Sequence, residues 1–439
     1  MIFGTDGVRG PAGVYPLRAQ DVLRLGQLAA QIVPCRQALI AHDTRRSASM
    51  LEASLAAGFA AAGIEHIHLA GVLPTPALAA MTAHEGYDLG VMITASHNPY
   101  ADNGLKFFTA KGDKLSASQQ RALERAFEDE TDTLKSSSQP GVIEAKPGGL
   151  ETYLDQLRTR LPDLDLTGVR IAIDCAHGAC AQGAPLLLAS LGAQIDTCGV
   201  TPDGININEK VGATHPATLA KLVGRCRADI GLAFDGDGDR VIVIDETGAI
   251  IDGEQILALL AVGLNKKNAL KGKGIVSTVL ANSGLETFLT GHNLNLHRAP
   301  VGDQNVLKLM RETGCNFGGE PSGHLILSDH APTGDGLFAG LQVLQMLREG
   351  EHPASTLCHV FDPVPHLEDL VRFSDRGAAQ RAFEAPDFTQ AVEAIKKEQN
   401  VHLLVRMSGT EPLVRLMIES DDPTYNARTT ETLKNILAR

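Results

Sequence analysis

The sequence predicts an α/β protein of three similar doubly wound, mostly parallel units followed by a smaller C-terminal α+β unit. Three observations carry this. At 439 residues the chain is too long for one hydrophobic core. Short apolar strand-like runs alternate with helical patterns, and that alternation restarts twice along the chain. Three times a strand delivers a polar, glycine-rich loop, although no residue-level repeat is visible. The units are placed at residues 1–149, 150–250, 251–361 and 362–439.

In the first unit a turn-rich opening leaves Arg9 on a loop, where an ordinary surface ion pair is an equally good reading. Val22, Leu25, Leu28, Ala29 and Ile32 recur at helical spacing, and Pro34 ends that helix. Residues 38–41 and 64–69 read as strands around an alanine-rich helix over 50–62, and Thr75-Pro76 opens another helix. Residues 88–93 read as a buried parallel strand, with Ser96 just past its carboxyl end, the edge where loops of open α/β sheets converge on ligands. Asn98-Pro99 and Asn103-Gly104 mark tight turns, so on this string alone a turn-capping serine is the simpler reading. A polar helix over 114–130 follows, and 135–149 reads as a linker.

The pattern begins afresh with a strand at 169–174, a loop at His177-Gly178, a helix ending at Gly192 and a strand at 194–198. Strand 230–234 runs into Asp235-Gly236-Asp237-Gly238-Asp239-Arg240, and strand 241–245 leaves it. The third unit has helix 255–262, strand 275–279, helix 306–311 and a strand entering Gly319-Glu320-Pro321-Ser322-Gly323-His324. From about residue 362 the order changes, and strands 402–406 and 413–420 flank Met407-Ser408-Gly409-Thr410-Glu411-Pro412.

Composition narrows the function. Hydrophobic content of 44% and charged content of 21% describe ordinary globular material, with no run long enough for a membrane span and no signal-peptide pattern at the start. A cytoplasmic location is expected. Seven scattered cysteines without a CxxC pair give neither a disulfide framework nor a zinc pattern. The net charge, 39 minus 52 or -13, comes without any basic run, which argues against nucleic acid as a partner. An anionic small molecule therefore needs a local cluster of Arg and Lys.

Asp235, Asp237 and Asp239, spaced by glycines, can turn three carboxylates onto one cation, and all-oxygen ligation favours Mg²⁺. An EF-hand is set aside, because Arg240 stands where that loop needs glycine and a strand follows where a helix should begin. A phosphatase with Asp235 as nucleophile is the sharper rival, though it leaves Ser96 unexplained. Glu320, Ser322 and His324 alternate, so on an extended loop they face one side and suit neighbouring sugar hydroxyls. Arg406, Ser408, Thr410 and Arg415 around Gly409 offer two guanidinium forks, hydroxyls and N–H groups for a phosphate dianion. Lys106 suits neutralising a phosphoryl group or donating a proton, and a lysine snorkelling beside Phe107 and Phe108 is its bland reading. Together these groups describe phosphoryl transfer on a sugar phosphate. A non-catalytic sugar-phosphate sensor ranks below it, since no chemical group is missing.

The strings TASHNP, DGDGDR, GEPSGH and RMSGTEP, in this order, resemble the α-D-phosphohexomutase superfamily across essentially the whole chain. FGTDGVRG, TPDGININ and ASHNPYADNGLKFF look like its phosphoglucosamine mutase branch, which interconverts glucosamine 6-phosphate and glucosamine 1-phosphate toward UDP-N-acetylglucosamine. The resemblance implies four domains around a central cleft and a phosphorylated Ser96. That serine would give its phosphoryl group to the sugar, make a 1,6-bisphosphate that turns over, and take back the other phosphate. It further implies Mg²⁺ on Ser96, Asp235, Asp237 and Asp239, with a hexosamine or hexose 1,6-bisphosphate as activator. Arg240, Glu320, Ser322 and His324 would hold the sugar, and Arg406, Ser408, Gly409, Thr410 and Arg415 the non-reacting phosphate. Arg9, Lys106 and His324 match acid/base or charge-stabilising positions. Pro321 replaces the Gln of phosphoglucosamine mutases and the Met of glucose and mannose mutases, which keeps phosphomannomutase or phosphoglucomutase activity as the alternative. A homodimer is left open.

Overall fold

The computed structural model describes residues 2–4, 6–129, 137–350, 352–408 and 411–438. Its first sheet has seven strands in the order Phe3–Gly4, Gly7–Pro11, Asp102–Thr109, Leu89–Ile93, Gln37–His42, His66–Val72, Val142–Ala145. The last four run parallel, while Asp102–Thr109 and the two strands beyond it are antiparallel to their neighbours. Every residue of Leu89–Ile93 is buried, as its unbroken apolar run predicts. Helices Ala19–Ile32, Ala48–Ala62 and Thr75–His84 supply the crossovers, the last with proline in its first turn.

One sequence reading is corrected here. Residues 142–145 lie in the expected linker, yet Val142–Ala145 joins the sheet beside His66–Val72. All four of its residues are exposed, so the strand carries no hydrophobic alternation by which to be recognised.

The second sheet runs Ile250–Ile251, Val241–Asp245, Ile230–Phe234, Arg170–Asp174, Gln194–Cys198, and the third Asn295–Ala299, Gly274–Thr278, Phe317–Gly319, Leu325–Leu327. Each sheet is parallel on one side and ends on an antiparallel edge on the other. The fourth sheet, His366–Arg372, Leu413–Glu419, His402–Met407, is wholly antiparallel. A common rule emerges. All four motif loops connect antiparallel neighbours: Ile93 to Asp102, Phe234 to Val241, Gly319 to Leu325, and Met407 to Leu413.

One apolar core runs through the first three units, joining Met92, Phe108, Tyr153, Ile173, Phe234 and Phe317. The C-terminal unit has its own core around Phe388, Leu403, Leu416 and Leu433. It is tied to the third unit by polar contacts at the start of helix Ser283–Gly291: Asn282 bonds Val364 through both its side-chain groups, and Ser283 N donates to Glu419 Oε1 at 3.0 Å. Beneath them Glu254 Oε1 accepts from Asn282 N at 2.8 Å. Burial, aided by Asp252 and Glu419, pushes the Glu254 carboxyl up to about 7. No helix among the described residues is long and apolar enough to cross a membrane.

Candidate active site

Ser96 is fully buried and holds a left-handed backbone, φ 51°, a costly conformation for a side-chain-bearing residue. Its surroundings enforce it. Ser96 N donates to Thr94 Oγ1 at 2.9 Å, and the buried guanidinium of Arg45 donates to the carbonyls of Ser96, Asn98, Pro99 and Asp102. Asn208 Nδ2 adds bonds to the carbonyls of Ser96 at 2.8 Å and Asn98 at 3.0 Å. With the loop so fixed, Ser96 Oγ donates to Asp235 Oδ2 at 2.7 Å.

The serine loop and the aspartate loop touch backbone to backbone. A Cβ on Gly236 would lie 2.5 Å from the Ser96 carbonyl oxygen, so only glycine fits there. The carboxylate oxygens of Asp235, Asp237 and Asp239 lie within 4.8 Å of one another, and all three residues are buried. Burial pushes the Asp235 carboxyl well up, and Asp239 and Asp237 push it further. Asp239 is held well down, because Lys106 and His324 outweigh its burial. Asp237 Oδ1 is buried with no hydrogen-bond partner among the described residues. Asp239 Oδ1 likewise lacks a hydrogen-bond partner among them, and a crowded set of hard oxygen donors with two orphaned oxygens fits a small divalent cation such as Mg²⁺.

Lys106 is 1% exposed, so the snorkelling reading fails. Its Nζ lies 2.8 Å from Asp237 Oδ2, 3.1 Å from Asp239 Oδ2 and 2.9 Å from Asp6 Oδ2. Asp6 also pairs with Arg9 and with Lys114, and Lys114 reaches Asp303 of the third unit. These three cations overcome the effect of burial and hold the Asp6 carboxyl well below its usual range.

Adjacent side chains diverge on an extended segment, but Ser96 is left-handed, and His97 Nδ1 comes within 3.4 Å of Ser96 Oγ. Burial together with Arg240 and Arg9 lowers this imidazole to about 4, so it stands neutral near pH 7.

His97 and Arg240 open onto a cleft of about 770 Å³ that also meets Glu320, Ser322, Arg406 and Arg415. The sugar loop is not extended as expected: Gly323 N donates to Glu320 O at 3.0 Å in a turn with φ 84° at Gly323. Glu320 and Ser322 line the cleft, the Ser322 Oγ itself buried without a partner among the described residues, while His324 turns inward, its Nδ1 3.5 Å from Asp239 Oδ1 and its Nε2 3.7 Å from Asp303 Oδ2. The two aspartates outweigh burial and raise the His324 imidazole. Pro321 contributes its carbonyl, which accepts from Gly253 N at 3.1 Å.

At the far end Arg406 and Arg415 are paired across neighbouring strands and line a further recess of about 320 Å³. Burial and the neighbouring Arg415 lower the Arg406 guanidinium, with Glu368 and Glu320 acting in the opposite sense. Ser408 lines the same cleft, whereas Gly409 and Thr410 lie outside the described residues. Asp6, Arg45, Lys114 and Asn208 were given no role in the sequence reading. Asp6 and Asn208 lie inside FGTDGVRG and TPDGININ, and Arg45-Arg46 stands just after a strand end, the position where Ser96 was noticed.

Comparison with known proteins agrees with this architecture. The chain matches, in order, phosphoglucomutase/phosphomannomutase alpha/beta/alpha domain I over residues 1–134, domain II over 151–248, domain III over 252–364 and the C-terminal domain over 364–435. It is 43% identical to a phosphoglucosamine mutase of Allorhizobium ampelinum, over 99% of this chain and 98% of that one. A phosphoglucosamine mutase of Caulobacter vibrioides is 44% identical, over 96% and 95%. Among solved structures, a phosphoglucomutase/phosphomannomutase family protein of Burkholderia thailandensis superposes with a TM-score of 0.80 at 24% identity, covering 99% of this chain and 96% of that one. The chain belongs to the phosphohexomutase superfamily, among its phosphoglucosamine mutases.

Proposed function

We infer that the protein is a phosphoglucosamine mutase, interconverting glucosamine 6-phosphate and glucosamine 1-phosphate in the cytoplasm. The observation that carries this reading is the layout of one cleft, with His97 beside the Ser96 hydroxyl opening on one side and the Arg406–Arg415 pair lining the other. A sugar phosphate bound by Arg406, Ser408, Gly409, Thr410 and Arg415 at its non-reacting phosphate extends its free hydroxyl toward Ser96.

In the proposed reaction Ser96 carries a phosphoryl group. The sugar hydroxyl oxygen forms a bond to phosphorus, the bond from phosphorus to Ser96 Oγ breaks, and the hydroxyl proton leaves to a nearby group. Lys106, Arg9 and His324 are the proposed proton-handling and charge-neutralising groups. Glu320, Ser322, His324 and Arg240 orient the sugar. The 1,6-bisphosphate so formed turns over and returns its other phosphate to Ser96, and added bisphosphate would act as activator by restoring the phosphoserine. Asp235, Asp237, Asp239 and an oxygen on Ser96 would hold Mg²⁺, which supplies charge stabilisation for the transferring phosphoryl group.

The test is a rate comparison of glucosamine 6-phosphate, glucose 6-phosphate and mannose 6-phosphate with Mg²⁺ and a trace of bisphosphate. A preference for glucose or mannose phosphate overturns the branch assignment and leaves the mutase chemistry in place. Hydroxylamine treatment of the phosphorylated enzyme separates the rival chemistry: phosphoserine survives it, and an acyl phosphate on Asp235 does not.

A further inference from the structure

The main chain of the aspartate loop is fastened from all three large units. Gly236 O accepts from Ala179 N of the second unit at 2.8 Å, Asp237 O from Thr75 N of the first at 2.9 Å, and Gly238 O from Gly336 N of the third at 3.0 Å. A Cβ on Gly238 would lie 2.5 Å from Cys180 Sγ and 3.3 Å from Pro74 Cβ, so the loop is packed closely as well. These contacts place the backbone and leave open how each carboxylate is turned.

The three carboxylates are turned differently. Both oxygens of Asp235 have partners, Ser96 Oγ at 2.7 Å and Arg240 N at 3.2 Å. Asp237 and Asp239 give Oδ2 to Lys106 and keep Oδ1 buried without a hydrogen bond among the described residues. Asp237 Oδ2 also accepts from a second donor, Thr75 Oγ1, at 2.6 Å.

Thr75 is fully buried and is the first residue of helix Thr75–His84. A threonine inside a helix can turn its hydroxyl back to the carbonyl four residues earlier, as Thr82 does to Leu78 at 2.7 Å on this same helix. At the helix start no such carbonyl exists within the helix, and Pro74 before it is extended, so the Thr75 hydroxyl is free to reach across to the second unit. The amino end of the helix dipole favours the carboxylate it meets there. With a hydroxyl and an ammonium both on Oδ2, Oδ1 is the Asp237 oxygen left for a cation. Mg²⁺ demands near-ideal octahedral geometry and suffers when a ligand can swing, whereas Ca²⁺ accepts a flexible set of oxygens.

We propose that Thr75 is a positioning residue for the metal loop: by holding Asp237 Oδ2 from the neighbouring unit it presents Oδ1 to the ion and favours Mg²⁺ over Ca²⁺. The inference rests on the three aspartates holding Mg²⁺. Calorimetric titration of the whole protein with each ion compares wild type, Thr75→Val, Thr75→Ser and Thr82→Val. Thr75→Val keeps the bulk and the N–H to Asp237 O and loses the hydroxyl alone. Its Mg²⁺ affinity should fall about tenfold or more, the effect expected of a residue that orients a ligand, and its Ca²⁺ affinity by a clearly smaller factor. Thr75→Ser retains the hydroxyl, and Thr82→Val loses a buried hydroxyl of the same helix that does not touch the loop, so both should match wild type. Unchanged Mg²⁺ affinity in Thr75→Val, an equal loss for the two ions, or a loss as large in Thr75→Ser or Thr82→Val overturns the positioning role. Mg²⁺ binding that is absent from wild type, or that survives joint replacement of Asp235, Asp237 and Asp239 by Asn, overturns the metal assignment itself and this inference with it.

Discussion

Ser96 Oγ donates to Asp235 Oδ2 across 2.7 Å, although the two residues sit on loops leaving different sheets. The left-handed backbone at Ser96 is what aims the hydroxyl there, and it separates two substitutions. Ser96→Ala and Ser96→Gly should both lose turnover by several orders of magnitude, since each removes the atom proposed to carry the phosphoryl group. Glycine is at ease at this φ and alanine is not, so Ser96→Gly should be the more stable of the two by about 1 kcal/mol. Chemical denaturation reads the difference, and equal midpoints would mean that the loop does not hold this conformation in solution.

Lys106 bridges Asp6, Asp237 and Asp239. Lys106→Met keeps much of the volume and strands buried carboxylates, at a cost of about 3 to 5 kcal/mol without metal. Mg²⁺ should therefore raise the melting temperature of the variant more than that of the wild type. Identical Mg²⁺-induced shifts would argue that the ion sits elsewhere.

Glu254 predicts a pH dependence of stability. Its carboxyl is raised from 4.5 to about 7 by burial, with Asp252 and Glu419 adding to the shift. The folded state thus keeps this proton longer than the unfolded chain does. Its contribution is full below about pH 4.5 and is lost as pH rises to about 7. Glu254→Gln retains the acceptor for Asn282 N and should remove this slope, making the variant more stable than wild type at pH 8 by on the order of 2 kcal/mol. Denaturation curves at pH 5 and pH 8 decide it; a wild-type advantage at pH 8 contradicts the burial argument.

Arg415 is half-exposed and pairs with the Glu411 carboxylate at 3.5 Å. Arg415→Ala should raise KM for the sugar phosphate about 10- to 100-fold and change kcat less, the signature of binding lost equally from ground and transition states. A loss confined to kcat would place Arg415 in the chemical step.

Much of the fold was legible because the strands that matter are short apolar runs: Ile230–Phe234 and Val241–Asp245 lie where the pattern put them. Pattern failed where burial does not mark the element, as at the exposed Val142–Ala145. The motif residues were legible because each sits in a local string. Asp6, Arg45 and Lys114 were not, since their meaning lies in partners far along the chain, such as Asp303 for Lys114. The approach of His97 to Ser96 Oγ was hidden for a subtler reason: side chains diverge on an extended chain, and a single positive φ at Ser96 suspends that rule.

Arg45 gathers four carbonyl oxygens of the serine loop onto one buried cation. A segment pegged at so many points has little slack, so gaining or losing a phosphoryl group on Ser96 should leave its trace in the main chain nearly unchanged. Resting and primed enzyme would then look alike to any probe of shape. They would differ by about 80 Da and up to two negative charges, and intact mass spectrometry or isoelectric focusing is the way to count them.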